Sequence, residues 1–161
     1  MDYKVIDDFL DKKEFEILKQ TVLSHDFPWF MSHGVTSYDN NSEHYMLSHK
    51  FYENFKINSS SFTLLDNLLS KLGIKAVIRI KANLYPKTSE IIEHDFHTDY
   101  DFKHKTALLM LNTNNGFTIL NDGTKIGTVE NRLLTFDASE KHASTTCTDE
   151  KYKVNLVVNY F

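Results

Sequence analysis

Apolar residues recur at helical spacing twice in the first half of the chain. Asp11 stands where an N-cap would, Glu14 follows three residues later, and Phe15, Leu18, Val22 and Leu23 then repeat along one face. A second pattern follows Ser59–Ser61: Phe62, Leu64, Leu65, Leu68, Leu69 and Leu72, closed by Gly73. Two supporting helices are predicted there. From Lys75 onward the period shortens. KAVIRIKANLY, KTALLMLNT, GFTILNDG, TKIGTVE, NRLLTFD and KYKVNLVVNYF are short β-branched or aromatic runs, separated by turn residues such as Asn121-Asp122-Gly123 and Glu130-Asn131. Helices first and strands afterwards predict an α+β fold, a β-sandwich buttressed by N-terminal helices.

Composition narrows this picture. With 161 residues, 41% of them hydrophobic and only 5 Gly and 2 Pro, the chain suits a single domain spanning 1–161 with a real core. Its net charge of −4 and its lack of long Lys/Arg runs disfavour a nucleic-acid partner, since duplex binders need a basic excess. Cys147 is the single cysteine, which excludes an internal disulfide and fits a reducing, cytoplasmic setting. No apolar run approaches the roughly 20 residues that span a bilayer, so no membrane association is expected.

Candidate chemistry concentrates in EHDFHTDYDFKH, residues 93–104. Within it, His97 and Asp99 are two apart. In an extended chain such residues share a face, so an imidazole and a carboxylate can converge on one metal while Thr98 points away. His94 and Asp95 are rival ligands from the same segment. A third ligand must come from elsewhere, and His142, between LLTFD and the last apolar run, is the natural candidate. Two His and one carboxylate leave open positions on an octahedral ion, the pattern of non-haem iron(II) oxygenases. A closed structural zinc site would call for cysteines the chain lacks.

The last run alternates Lys151, Lys153, Asn155 and Val157 against Tyr152, Val154, Leu156 and Val158. Lys153 either faces solvent on an edge or reaches into the sandwich to meet an anion. Earlier in the chain, Phe27-Pro28-Trp29-Phe30 is either core or the lining of a substrate groove.

Together these positions resemble the 2-oxoglutarate/Fe(II) dioxygenase superfamily, particularly its short prolyl-hydroxylase-like members from bacteria and their phages. The likeness covers Arg79 to Phe161. It implies a double-stranded β-helix (jelly-roll) core, with His97, Asp99 and His142 as both metal ligands and catalytic centre. It also implies that Lys153, in Lys153-Val154-Asn155-Leu156, pairs with the far carboxylate of 2-oxoglutarate, in place of the commoner Arg. Lys151, on the same face, is the alternative. Asn83-Leu84-Tyr85 resembles the Asn-x-Tyr that contacts the cosubstrate in the alkylated-base repair branch, although that branch's second Arg on the last strand falls here at Asn159. Asn155 joins Lys153, Asn83 and Tyr85 as a cofactor-binding candidate.

The cofactors so implied are Fe(II), 2-oxoglutarate and O2, with ascorbate as a further one. The implied reaction is hydroxylation of a C–H bond, on a prolyl residue of a peptide or protein or on a small molecule such as a free amino acid. A cupin-like metal isomerase or hydrolase would share the sandwich, but its His-x-His followed by Glu is missing from the sequence.

Overall fold

The last strand of the chain is the central one, and its alternation organises both layers of the molecule. A computed structural model describes residues 2–32 and 45–161. In chain order the strands are β1 (Tyr3–Ile6), β2 (Phe30–Ser32), β3 (Met46–Glu53), β4 (Lys56–Ile57), β5 (Val77–Pro86), β6 (Lys105–Met110), β7 (Phe117–Leu120), β8 (Lys125–Gly127), β9 (Leu133–Asp137), β10 (His142–Ser144) and β11 (Tyr152–Tyr160). Helix α1 spans Lys12–Val22; a 3-10 turn, Phe62–Leu65, leads into α2, Asp66–Leu72.

Strand β11 pairs antiparallel with β5 on one side and β6 on the other. The main sheet runs β1-β9-β6-β11-β5-β3-β2, with β4 paired to β3, and a second sheet runs β10-β7-β8. On one face of β11, Val154, Leu156, Val158 and Tyr160 join a buried cluster with Phe15, Leu18 and Val22 of α1 and Leu65 and Leu68 near α2. On the other face, Val157 packs with Leu108, Met110, Leu134 and Phe136 against Leu120 and Ile126 of the second sheet. Two antiparallel sheets face to face, with helices on the outer side of the larger one, make a double-stranded β-helix. Being covered on both faces, β11 is buried from Lys153 to Tyr160, which explains its nearly continuous apolar run.

Local chemistry accounts for the helix ends. Asp11 occupies the N-cap of α1 but makes no side-chain cap bond, so the capping box read from Asp11 and Glu14 is not formed. Glu14 in the first turn and Lys19 in the last still oppose the helix dipole favourably. Gly73 closes α2 at φ +62°, a left-handed conformation that suits glycine. Asn131, at φ +58°, turns the chain before β9, while its side chain donates to Leu10 O at 2.8 Å and accepts from Leu10 N at 3.0 Å.

The order of elements differs from helices followed by strands. Strands β1 to β4 all precede residue 58, and β3 pairs directly with β5. They escape pattern reading for physical reasons. All four residues of β1 are exposed, and it is held by backbone pairing to β9. In β3, His49 takes an apolar position: its ring lies against Phe27 and Phe51, and its Nδ1 meets Pro28 O at 2.8 Å. No helix among the described residues is long and apolar enough to cross a membrane.

Candidate metal centre

His97 and His142 are locked together through their backbones. Each peptide N–H donates to the other's carbonyl at 3.0 Å, and the ring centroids lie 4.7 Å apart. The segment before β6 thus runs alongside β10: Glu93 bridges Thr145, and His94 N donates to Ser144 O at 2.9 Å. Two residues on, Asp99 comes to the same side. One donor atom from each of His97, Asp99 and His142 lies within 4.8 Å of the others, and this is the one such group among the described residues. Of the rival ligands, Asp95 is exposed, and His94 is stacked on Tyr85 at 5.6 Å between centroids.

The donor set fits a divalent ion. Burial pushes the His142 imidazole down to about 4, leaving it neutral with a lone pair to give at pH 7. Burial works to raise the Asp99 carboxyl, but Arg79, His142, Lys81 and Asn159 together outweigh it and hold the group well below the usual carboxylate range. Arg79 Nη2 donates to Asp99 Oδ1 and Asn159 Nδ2 to Oδ2, each at 2.8 Å. Asn159 is fixed in turn by a 2.9 Å bond to Thr106 Oγ1, and Arg79 Nε donates to Asn159 Oδ1 at 3.2 Å. The carboxylate is therefore ionised and oriented from both sides, as outer partners of a metal ligand do.

These three residues open into a cavity also lined by Met46, Lys81, Asn83, Tyr85, Thr118, Ser144 and Asn155. Asn83 and Asn155 are register partners on β5 and β11, so their side chains share its wall. Among the described residues, Asn83 Oδ1, Asn155 Oδ1 and Thr118 Oγ1 are buried without a hydrogen-bond partner. Buried polar atoms of this kind are rare in folded proteins and normally mark an absent ligand or water. Burial raises the Tyr85 phenol to about 12, with contacts to Ser144 and Asn83 opposing, so it remains a hydrogen-bond donor at neutral pH.

Lys153 is fully enclosed behind this wall. Its Nζ donates to Phe117 O at 2.8 Å, Ser144 Oγ at 2.9 Å and Thr145 O at 3.1 Å, and lies 5.4 Å from the Tyr85 ring centroid. All three donors of the ammonium are used. Its link to the cavity is the Ser144 hydroxyl, which can accept from Lys153 and donate onward. Burial pushes Lys153 down to about 7, with Cys147 opposing. Lys151 is exposed, and its carbonyl accepts from Lys87 N. In the aromatic stretch, Phe27 is buried and Trp29 packs on the core, while Phe30 lines an open groove of about 590 Å3 with Ser48, Lys50 and Lys56.

Two residues of the site escape the reading of the metal motif, Arg79 and Lys81. The signal for both is the alternation of β5, where Arg79, Lys81, Asn83 and Tyr85 occupy every second position opposite Ile80, Ala82 and Leu84.

No family model and no curated protein matches the sequence. Solved structures do match. A prolyl-4-hydroxylase from Pseudomonas putida aligns over 98% of this chain and 91% of its own, with a TM-score of 0.70 and 15% identity. A viral collagen prolyl hydroxylase from Paramecium Bursaria Chlorella virus-1, in its 2OG complex, aligns over 98% and 94%, at 0.66 and 14%. A prolyl hydroxylase from Trichoplax adhaerens, in complex with a hypoxia inducible factor peptide fragment, aligns over 99% and 83%, at 0.69 and 19%. Across nearly its whole length, the chain shares the fold of the prolyl-hydroxylase-like 2-oxoglutarate/Fe(II) oxygenases.

Proposed function

We propose that this protein is a 2-oxoglutarate-dependent iron(II) oxygenase that hydroxylates a substrate C–H bond while 2-oxoglutarate is decarboxylated to succinate. The observation that carries the reading is the His97–Asp99–His142 group opening into a cavity whose walls hold unsatisfied buried polar atoms. In this reading the two imidazoles and the carboxylate would hold Fe(II), which with 2-oxoglutarate and O2 would supply the oxidising chemistry.

The chain's own contribution is binding and orientation. Arg79 and Asn159 hold Asp99 ionised and aligned. Tyr85 would donate a hydrogen bond from its phenol to the far carboxylate of the cosubstrate, and the Ser144 hydroxyl, polarised by Lys153, would donate to the same group. Asn83 and Asn155 satisfy their free amide atoms against the cosubstrate from the β5–β11 wall. Leu108 and Val157 exclude water on the side of the second sheet. For the substrate we favour a prolyl residue in a peptide, a reading supported by the prolyl hydroxylases of the same fold, one of them described with a peptide fragment bound.

Thermal melts test the assignment without knowledge of the substrate. Ligands that bind only the folded state stabilise it by about 2.7 kcal/mol at a hundredfold excess over Kd. Mn(II) with 2-oxoglutarate should raise Tm by about 5 °C or more in a chain of this size. Mn(II) and 2-oxoglutarate without effect, together or singly, would contradict it.

A further inference from the structure

Four cationic side chains lie on or behind the face of the main sheet that looks onto the metal group, and three have their donors engaged. Arg79 is bound to Asp99 and Asn159. Lys50 pairs with Glu53 at 2.5 Å. Lys153 has its three acceptors. The fourth, Lys81, lines the metal cavity beside His97, Asp99 and His142, and makes no hydrogen bond or ion pair among the described residues. Strand geometry leaves it no other direction: it stands between Arg79 and Asn83 on the alternating face of β5, opposite Val157 of β11 and Lys50 of β3. Lys81 is part-buried, and burial, with Arg79 and Lys50 adding to it and the Asp99 and Glu53 carboxylates opposing, pushes it down to about 8.

Resting on the oxygenase reading and extending it to the substrate class, we propose that Lys81 is a specificity-determining residue that binds a carboxylate of the molecule being hydroxylated. Asp99 is already held by Arg79 and Asn159, so the three donors of Lys81 are left for an incoming anion. The cosubstrate end of the cavity is four residues further along β5, at Tyr85, with Ser144 and Lys153 beside it. That is about 13 Å along the strand. A five-carbon dicarboxylate spans only about 5 Å between its end carbons. Held at Tyr85, it leaves Lys81 to a second anion in the same cavity. A single ammonium matches a single carboxylate, such as that of a free amino acid, a peptide C-terminus or an acidic side chain.

The test uses wild-type protein and Lys81→Met, each loaded with Mn(II) and 2-oxoglutarate. The probes are N-acetylproline and N-acetylprolinamide, which differ in the carboxylate alone, and Mn(II)-induced broadening of their proton signals reports binding near the metal. Wild type should bind the acid about tenfold more tightly than the amide, and Lys81→Met should bind the two alike. The affinity of the variant for 2-oxoglutarate should stay within about twofold of wild type. Lys81→Gln, which keeps a polar side chain without charge, should behave as Lys81→Met and guards against a local packing effect. Equal or undetectable binding of both probes to wild type would overturn the proposal, as would an acid preference that survives in both variants. A roughly tenfold loss of 2-oxoglutarate affinity in Lys81→Met would overturn it in another way, by assigning the ammonium to the cosubstrate. Wild type that binds neither Mn(II) nor 2-oxoglutarate would sink the oxygenase reading and this inference with it.

Discussion

Arg79 Nη2 donates to Asp99 Oδ1 at 2.8 Å, tying the central strand pair to the loop that carries two of the three candidate metal ligands. Both partners are shielded, with side-chain exposures of 14% and 7%, so solvent does little to weaken the pair. Removing the guanidinium in Arg79→Met should lower Mn(II) affinity by about 10- to 100-fold, the usual cost of losing an outer partner of a metal ligand. Isothermal titration with Mn(II) reads this directly. An unchanged Kd would mean that Asn159 alone orients the carboxylate.

With Lys153 behind the proposed cosubstrate site, 2-oxoglutarate binding should depend on pH with a definite sign. Burial holds its conjugate acid at about 7, far below the ordinary lysine value. The charged form favours a carboxylate, so the 2-oxoglutarate complex holds that proton more tightly than the free protein does. Below about pH 7 both states are protonated and affinity is flat. Above it, binding must take up a proton, and affinity should fall by up to about tenfold per pH unit until the complex also deprotonates. Direct titrations of 2-oxoglutarate between pH 6 and 9 should show this slope. Lys153→Met should bind weakly throughout and without the slope; a slope retained in that variant would move the titrating group elsewhere.

Gly116 marks how closely the second sheet packs around that lysine. A Cβ added there would sit 2.6 Å from Thr146 O, 2.9 Å from Asn114 Oδ1 and 3.0 Å from Lys153 Cδ. The first contact is with backbone, which cannot swing aside. Gly116→Ala should therefore destabilise the fold by about 1–3 kcal/mol and weaken 2-oxoglutarate binding by displacing Lys153. Urea unfolding combined with a binding titration checks both. A variant as stable as wild type would show that the loop yields without cost.

Legibility in the sequence followed the strength of each physical constraint. His97-Thr98-Asp99 was readable because two-residue spacing fixes a shared face, and Lys153 stood out as a cation in an apolar terminal run. The six runs from residue 75 onward each contain a strand, because facing sheets impose alternation or continuous burial. Strand β1 was hidden because all its side chains are exposed, and β10 because three residues are too few to show a period. The pairing of Arg79 is not legible in the sequence, since its partner Asp99 is 20 residues away and meets it only after folding. Lys81 stays hidden in the sequence because the position of β5 between β11 and β3 is a property of the whole sheet.

Tyr85 permits a cleaner separation of binding from folding. Tyr85→Phe keeps the ring against His94 and Met46 while removing the one hydroxyl. Loss of a hydrogen bond to a charged group costs about 1.5–3 kcal/mol, so KM for 2-oxoglutarate should rise at least about tenfold with little change in Tm. An unchanged KM would leave the far carboxylate to Ser144 and Lys153.

The oxygenase account depends most on Asp99, the single carboxylate of the metal group. Succinate release from 2-oxoglutarate, with Fe(II) and O2 supplied, should be measurable in wild type and should drop to background in Asp99→Ala with the fold retained. Succinate formed by Asp99→Ala at the wild-type rate would contradict the account.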